Sequence, residues 1–375
     1  MPIINKILIS GGGTGGHVFP AIAIADAFKK EFPEVEILFV GARDKLEMQK
    51  VPVAGYPIKG LWISGFHRKF TLKNLMFPVK LKLSLIHSLW IVLRFKPDLA
   101  IGVGGFASGP ILAVCRWLSI PFFLQEQNAY PGITNRLLKH KAERIFVAYR
   151  QMESFFPKEK LIISGNPVRA VLRESLPSKV DALQFFDIQE KNKVVLIIGG
   201  SLGAASINKA VSKGLLSHPQ AEGIFWIWQV GSNYYQELKS NPSLNKNNVL
   251  ILPFIDRMEM AYAASDLVVG RAGALTIAEL AWINKPCILV PSPNVAADHQ
   301  TANAKAMENM GGGKWIPDED AQEKLIPMAI SLVNDDQILK EMSDRLRVQR
   351  HQDASSQIAK YVLEALTKKQ SNGGN

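Results

Sequence analysis

Residues 5–32 read NKILISGGGTGGHVFPAIAIADAFKKEF. A short apolar strand, Ile7-Leu8-Ile9, runs into Gly11-Gly12-Gly13-Thr14-Gly15-Gly16 and then a helix from about Phe19 to Phe32. A strand, a glycine turn and a helix leave backbone N–H groups at the positive end of a helix dipole, a device for holding phosphate. The second half repeats it: Val194 to Ile198, then Gly199-Gly200-Ser201-Leu202-Gly203, then a helix through Ile207 and Val211. Each half does so once more. Leu99-Ala100-Ile101 leads to Gly102, Gly104 and Gly105, and Leu267-Val268-Val269 leads to Gly270 and Gly273. Short continuous β-rich runs between helical patterns indicate buried parallel strands and βαβ units.

The expected fold class is therefore α/β, with two doubly wound Rossmann-like domains and a boundary near Gly165-Asn166-Pro167. That gives domains at 1–165 and 166–350. A C-terminal helix at 351–367 would pack the domains together, as the end of a helical stretch from Gln337 to Leu366, and 368–375 would be an unstructured tail. The length of 375 residues suits two cores. With 47% apolar and 21% charged residues, disorder is excluded. Cys115 and Cys287 sit in apolar runs as buried thiols, which excludes a disulfide scaffold or a cysteine zinc site. The start, MPIINKILISGGG, reaches a glycine turn before a signal-peptide core develops, and no apolar run is long enough for a membrane span. A soluble, cytoplasmic protein is expected.

The formal net charge of +11 is unevenly placed. Residues 1–165 hold 22 Lys+Arg and 11 Asp+Glu, whereas 166–375 hold 22 of each. Met48 to Pro97 has no acidic residue but carries Lys50, Lys59, Arg68, Lys69, Lys73, Lys80, Lys82, Arg94 and Lys96. Leu72, Leu75, Met76, Val79, Leu83, Ile86, Trp90 and Leu93 recur every three or four residues, and Pro78 marks the first turn of a helix to about Phe95. That face either packs on a core or meets an anionic membrane surface with its basic rim. Nucleic acid is disfavoured, because the aromatic and Arg-rich patterns of the common modules are missing.

Gly11, Gly13 and Gly16 satisfy G-x-G-x-x-G, the dinucleotide fingerprint, which alone is weak. The second strand, Glu36 to Val40, ends in Gly41-Ala42-Arg43-Asp44 rather than at an acidic residue; Arg43 would suit a 2′-phosphate and keeps an NADP enzyme open. Two glycine-loop domains facing a cleft, each holding one substrate's phosphates, fit better. The segments GGGTGGHVFPAIAIADAF, GGFASGP, EQNAYPGITNR, SGNPVR, GGSLGAASIN, RAGALTIAEL and DHQTANA occur in the order and approximate spacing of the MurG family. From Ile7 to about Tyr361 the chain resembles these membrane-peripheral glycosyltransferases.

The resemblance implies the GT-B fold and UDP-GlcNAc as donor. The acceptor would be the C4 hydroxyl of MurNAc in undecaprenyl-pyrophosphoryl-MurNAc-pentapeptide, turning lipid I into lipid II in peptidoglycan synthesis. Transfer would invert the anomeric carbon, with no cofactor and no metal required. The first domain would take lipid I and touch the membrane, and the second would hold the donor. On the donor side the resemblance implicates Arg169, Ser201 at the diphosphate, the backbone of Ile255 at the uracil, Ala274, Leu275 and Thr276 at the diphosphate or the sugar, Ile277 and Ala278 beside them, Glu279 at the ribose hydroxyls and Gln300 at the GlcNAc hydroxyls. From the first domain Thr14, Gly15 and Gly16 would reach toward the donor sugar and the acceptor, Asn128 would contact the donor, and Gly13, Gly104 and Gly105 would hold the acceptor pyrophosphate.

The attacking hydroxyl needs a base, and His17 and Glu126 are the candidates, His17 first because an unperturbed imidazole titrates near neutrality. Each also has a structural reading: His17 as phosphate ligand or helix cap, Glu126 as organiser of Asn128 or a loop backbone. Gln125 stands where the family often has histidine, and Ala272 where it often has serine. Asp318-Glu319-Asp320 has the form of a metal-binding D-x-D but reads as a solvated helix start remote from the glycine turns. Expected partners are UDP-GlcNAc, lipid I, the anionic cytoplasmic face of the inner membrane and other cell-wall synthesis proteins. Other readings are another GT-B UDP-sugar enzyme (a glycolipid synthase or an epimerase), an NADP oxidoreductase and a non-catalytic peripheral nucleotide-binding protein.

Overall fold

The computed structural model describes residues 4–65, 76–174, 176–200, 202–218, 221, 223–295, 298–348 and 353–372. The chain divides into two compact units, Met1–Arg169 with Gln352–Asn375, and Ala170–His351.

The first unit holds seven strands: β1 (Lys6–Gly11), β2 (Glu36–Ala42), β3 (Ile58–Leu61), β4 (Leu99–Gly104), β5 (Phe122–Glu126), β6 (Ile145–Val147) and β7 (Leu161–Ile163). Their order is β3-β2-β1-β4-β5-β6-β7, and every pairing is parallel. The second unit holds β8 (Lys193–Ile198), β9 (Ile224–Gln229), β10 (Val249–Leu252), β11 (Leu267–Gly270), β12 (Cys287–Leu289) and β13 (Gly313–Trp315), again all parallel, in the order β10-β9-β8-β11-β12-β13. Both are doubly wound sheets whose strand order reverses once, between β1 and β4 and between β8 and β11. Ligands of such sheets bind beyond the strands' carboxyl ends at the reversal. The four glycine turns of the sequence follow these four strands.

Burial explains the continuous apolar runs. Ile7, Leu8 and Ile9 are fully buried, Ile7 and Ile9 in one core layer and Leu8 in the other. In the second unit Trp226 and Trp228 alternate into one core with Val195 and Ile197.

The helix expected from Pro78 spans Phe77–Phe95 and stops at Lys96 in the left-handed region, φ 55°. Its apolar residues divide. Ile91, Val92, Leu81 and Leu85 pack into the first unit, whereas Val79, Leu83, Ile86, Trp90 and Leu93 are 45–57% exposed. The outward stripe therefore is not core. Arg68, Lys69, Leu72, Lys73 and Leu75 lie outside the described residues.

The expected C-terminal stretch is two helices. Asp336–Val348 belongs to the second unit, and Ala354–Asn372 packs on helix Gly15–Glu31 of the first, adding Ile358, Ala359 and Val362 to its core. Asp353 makes the break: its carboxylate accepts from the Ser355 N–H at 3.0 Å and the Ser356 hydroxyl at 2.7 Å, starting a new helix. That helix continues to Asn372, into the stretch expected as a tail, and the units meet at 169/170 rather than 165/166. The first unit contains 26 basic and 13 acidic residues and the second 18 and 20, so the positive excess belongs to the first.

Candidate functional site

In the first unit the glycine turn is held by a side chain that the sequence pattern did not disclose. Glu47 opens helix Glu47–Val53 and is fully buried. Its Oε2 accepts from the Gly13 N–H at 2.8 Å and its Oε1 from the Ala42 N–H at 2.9 Å. A Cβ on Gly12 would lie 2.1 Å from Oε1, and one on Gly41 would lie 2.4 Å from Cγ, so both glycines make room for this carboxylate. An acidic residue does follow the second strand, five positions past its end. It braces the loop instead of facing a ribose. Arg43, the NADP alternative, donates from Nε to the Gly60 carbonyl at 3.2 Å.

His17 lies on the first turn of helix Gly15–Glu31, where Thr14 occupies the N-cap position. The imidazole lies against Gly104, whose added Cβ would come within 2.7 Å of Cδ2, and Nδ1 is 3.4 Å from Thr14 Oγ1. Desolvation pushes His17 down to about 4, so the ring is uncharged at neutral pH. Gly104 and Gly105 have φ near +95°, open to glycine alone without strain. The Gly12 N–H donates to the Gly104 carbonyl at 3.3 Å, and the Ser108 hydroxyl bridges the carbonyls of Gly104 and Ser10. Gly13, Thr14, Gly15, Gly16, His17, Gly104 and Gly105 thus form one cluster at the β1/β4 reversal.

One strand over, Glu126 ends β5 and is buried. Oε1 accepts from the backbone and side-chain N–H groups of Asn128, at 3.2 and 3.3 Å; Oε2 accepts from the Gly132 N–H and from Asn135 Nδ2, both at 2.9 Å. Burial raises its pKa while these four donors favour the carboxylate. The chain's own donors fill its acceptor positions, and the group organises the loop from 126 to 135, including Asn128. Asn135, missed by the sequence reasoning, also donates to the Gln125 carbonyl at 3.2 Å. Gln127 donates to the Val103 carbonyl at 2.9 Å and to Gln125, which donates to Asn166. Arg169 lies with this unit, its guanidinium 4.9 Å from the Phe19 ring.

In the second unit Ser201 lies outside the described residues. The flanking Gly200 and Gly203 both have φ near +80° and close a turn, Gly203 N–H to Gly200 carbonyl at 3.0 Å. Gln229, buried at the end of β9, donates to the carbonyls of Gly200 at 2.8 Å and Pro253 at 3.5 Å, tying this turn to the loop that carries the buried Ile255. Helix Ala274–Trp282 starts at the β8/β11 reversal, with the N–H groups of Ala274, Leu275 and Thr276 in its first turn. Ile277 is buried, and Ala278 follows it on the same helix. Glu279 is also buried and accepts from the Tyr262 hydroxyl at 3.1 Å. Gln300 accepts from the Ser292 N–H at 2.8 Å, and Asn303 donates to the Ala272 carbonyl at 3.1 Å.

Asp318 corrects an expectation. It is not remote from the glycine turns: its carboxylate accepts from Arg271 at 2.5 Å and from the Ser206 hydroxyl at 2.6 Å. Arg271 also donates to the carbonyls of Val290 and Pro291, joining the turn after β11, the end of β12 and helix Ala205–Ser217.

Comparison with known proteins follows this division. The glycosyltransferase family 28 N-terminal domain matches residues 7–147, and the family 28 C-terminal domain matches 194–358. A UDP-N-acetylglucosamine–N-acetylmuramyl-(pentapeptide) pyrophosphoryl-undecaprenol N-acetylglucosamine transferase of Flavobacterium psychrophilum is 47% identical over 366 residues, covering 98% of this chain and 99% of the relative. The protein of the same name in Parabacteroides distasonis is 46% identical, over 97% and 99%. Among solved structures, that of Acinetobacter baumannii MurG superposes with a TM-score of 0.71 at 27% identity, over 96% of this chain and 99% of that one.

Proposed function

The chain belongs to glycosyltransferase family 28, among the MurG transferases, and from that premise we propose that it moves GlcNAc from UDP-GlcNAc to the C4 hydroxyl of MurNAc in lipid I, forming lipid II. The observation that carries this is identity of 43–47% along nearly the whole chain to relatives named for that reaction. Two glycine-lined strand-order reversals, one per unit, supply what two phosphate-bearing substrates need.

The donor is assigned to the second unit. The first-turn N–H groups of Ala274 to Thr276 face the diphosphate, the Ile255 backbone meets the uracil, and Glu279, oriented by Tyr262, accepts from the ribose hydroxyls. Ser201 and Gln300 serve the diphosphate and the sugar, and Arg169, Asn128 and Thr14 to Gly16 are assigned to the donor as well. The acceptor pyrophosphate is assigned to the turn formed by Gly13, Gly104 and Gly105, without the Gly13 N–H, which Glu47 already holds. In the transfer step the acceptor C4 oxygen bonds to C1 of GlcNAc as the C1–O bond to the UDP β-phosphate breaks on the opposite face, so the configuration inverts. UDP carries away the electron pair, and the hydroxyl proton goes to a base.

We give the base role to His17 on one ground, that the four acceptor positions of Glu126 are taken by the loop; the near-neutral titration that favoured His17 from sequence is lost, because burial depresses it to about 4. With Nδ1–H directed at the Thr14 hydroxyl, the His17 Nε2 lone pair takes the proton. No metal or cofactor enters this step. The one D-x-D carboxylate near the donor loops, Asp318, is matched by Arg271, and activity in excess EDTA should equal that without it.

No described helix is long and apolar enough to cross a membrane. The exposed stripe of helix Phe77–Phe95, on the positively charged unit, suits a peripheral position at the anionic cytoplasmic face of the membrane, where lipid I is met and other cell-wall synthesis proteins work. Each Lys or Arg near such a surface contributes about 1 kcal/mol. Transfer of labelled GlcNAc from UDP-GlcNAc to a lipid I analogue tests the assignment. Labelled disaccharide product is expected; its absence with folded, UDP-binding protein overturns it.

A further inference from the structure

The first unit has a second concavity, at the opposite end of its sheet from the glycine loops. It holds about 700 Å³ and is lined by Lys6 and Glu36, the first residues of β1 and β2, and by Trp90, Arg94 and Phe95 at the end of helix Phe77–Phe95. The glycine turns leave the carboxyl ends of the strands and this cavity lies at their amino ends, so the substrates assigned above do not account for it. Its volume is that of a small-molecule site.

Its chemistry is two-sided. Lys6, Lys29, Lys59 and Arg94 bring four positive charges against Glu34 and Glu36. Glu36 is matched by Lys6 at 3.5 Å, while Lys59 and Arg94 make no ion pair among the described residues. The Arg94 guanidinium sits 5.3 Å from the Trp90 ring, and Lys6 Nζ sits 5.5 Å from the Phe95 ring. Trp90, half exposed, lines the cavity and also continues the outward stripe of Val79, Leu83, Ile86 and Leu93. A site for a bare anion needs no apolar wall, and a site for an alkyl chain alone needs no unmatched cations. The two together at the end of an exposed apolar stripe fit an amphiphile with an anionic head.

We propose that this cavity binds one anionic phospholipid molecule, with its phosphate at Lys59 and Arg94 and the first carbons of an acyl chain against Trp90 and Phe95. The inference rests on the membrane-surface reading of the stripe and deepens it from a smeared electrostatic attraction to a defined one-to-one site.

The full-length protein is titrated by calorimetry with dihexanoyl-phosphatidylglycerol below its critical micelle concentration, then with dihexanoyl-phosphatidylcholine and with glycerol 3-phosphate. Saturable one-to-one binding of the phosphatidylglycerol is expected, with the other two at least tenfold weaker. Lys59→Glu combined with Arg94→Glu should weaken it at least tenfold while melting temperature and UDP affinity hold. Equal affinity for the phosphatidylcholine, equal affinity for glycerol 3-phosphate, or full affinity in the charge-reversed variant overturns the proposal. Sedimentation with vesicles of phosphatidylglycerol and phosphatidylethanolamine separates the two levels. Wild type that binds vesicles but not monomeric phosphatidylglycerol overturns the cavity and leaves the membrane reading. Wild type that binds the monomer but not vesicles supports the cavity and overturns the membrane reading.

Discussion

Glu47 Oε2 accepts a hydrogen bond from the Gly13 backbone N–H at 2.8 Å, across 34 residues of sequence, while Oε1 of the same carboxylate holds the Ala42 N–H at the end of the neighbouring strand. One buried carboxylate therefore fixes the first glycine turn to the sheet that carries it. The conformation of that turn is set before any phosphate arrives.

Glu47→Gln keeps the shape but turns one acceptor into an NH₂ that must face a backbone N–H. Leaving a buried donor unmatched costs about 1–3 kcal/mol, which urea unfolding measures. Because Glu47 acts through the acceptor-side loop, kcat/KM for GlcNAc transfer should fall at least tenfold, whereas UDP affinity, assigned to the other unit, should stay within twofold. Unchanged transfer would mean that the brace is dispensable to catalysis.

His17 makes a prediction in pH. Its folded-state value is depressed from 6.5 to about 4, so the unfolded chain binds more protons between those values. Stability from this group is therefore fully present above about 6.5 and is lost as pH falls through about 4. His17 is half-buried as a residue, and solvent screening holds its stability effect to about 2 kcal/mol. His17→Asn should flatten that part of the stability profile. If His17 is the base, the acid limb of kcat/KM lies near 4 rather than 6.5, since that profile reports the free enzyme. A limb at 6.5 that persists in His17→Asn would remove His17 from the role.

The four glycine turns and the strands before them were legible because buried parallel strands write continuous apolar runs and their phosphate-facing turns write glycine. Pro78 announced the helix that follows it for a similar local reason. The braces were not legible. Glu47 on Gly13, Gln229 on Gly200 and Pro253, Tyr262 on Glu279 and Arg271 on Asp318 join residues that meet only once strand order is fixed. Composition also misled at Asp318, whose acidic, proline-preceded neighbourhood reads as solvent-facing although Arg271 and Ser206 hold it. At Phe77–Phe95 periodicity located an apolar face without saying what covers it: Leu81 and Leu85 point into the unit, Leu83 and Ile86 away from it.

Arg271 and Asp318 form a part-buried pair with side-chain exposures of 18% and 21%. Removing one partner strands the other, so Arg271→Ala should cost about 3 kcal/mol. Asp318→Asn should cost less, because Ser206 and the carbonyls of Val290 and Pro291 still engage the guanidinium. The double variant should fall short of the sum by at least about 1 kcal/mol, the coupling expected of residues in one network. Arg271→Ala should also weaken UDP binding by loosening the turn before helix Ala274–Trp282. Strict additivity in unfolding experiments would show that the pair is not coupled.

Ile86 and Ile91 lie on one helix and should respond oppositely. Ile86 is 57% exposed, so Ile86→Gln should leave unfolding free energy within about 0.5 kcal/mol of wild type. If the stripe enters a lipid surface, the same change removes one apolar side chain from that contact. At about 25 cal/mol per Å² this lowers partitioning to anionic vesicles about tenfold. Ile91 is 2% exposed, and Ile91→Ala should cost about 2–4 kcal/mol of stability while the folded fraction binds vesicles like wild type. Raising salt from 0.1 to 1 M shortens the screening length from about 10 to 3 Å and should weaken vesicle binding of every variant through its basic residues. The Ile86→Gln deficit should survive that change, because apolar burial is not screened. Loss of the deficit at high salt would place Ile86 outside the lipid contact.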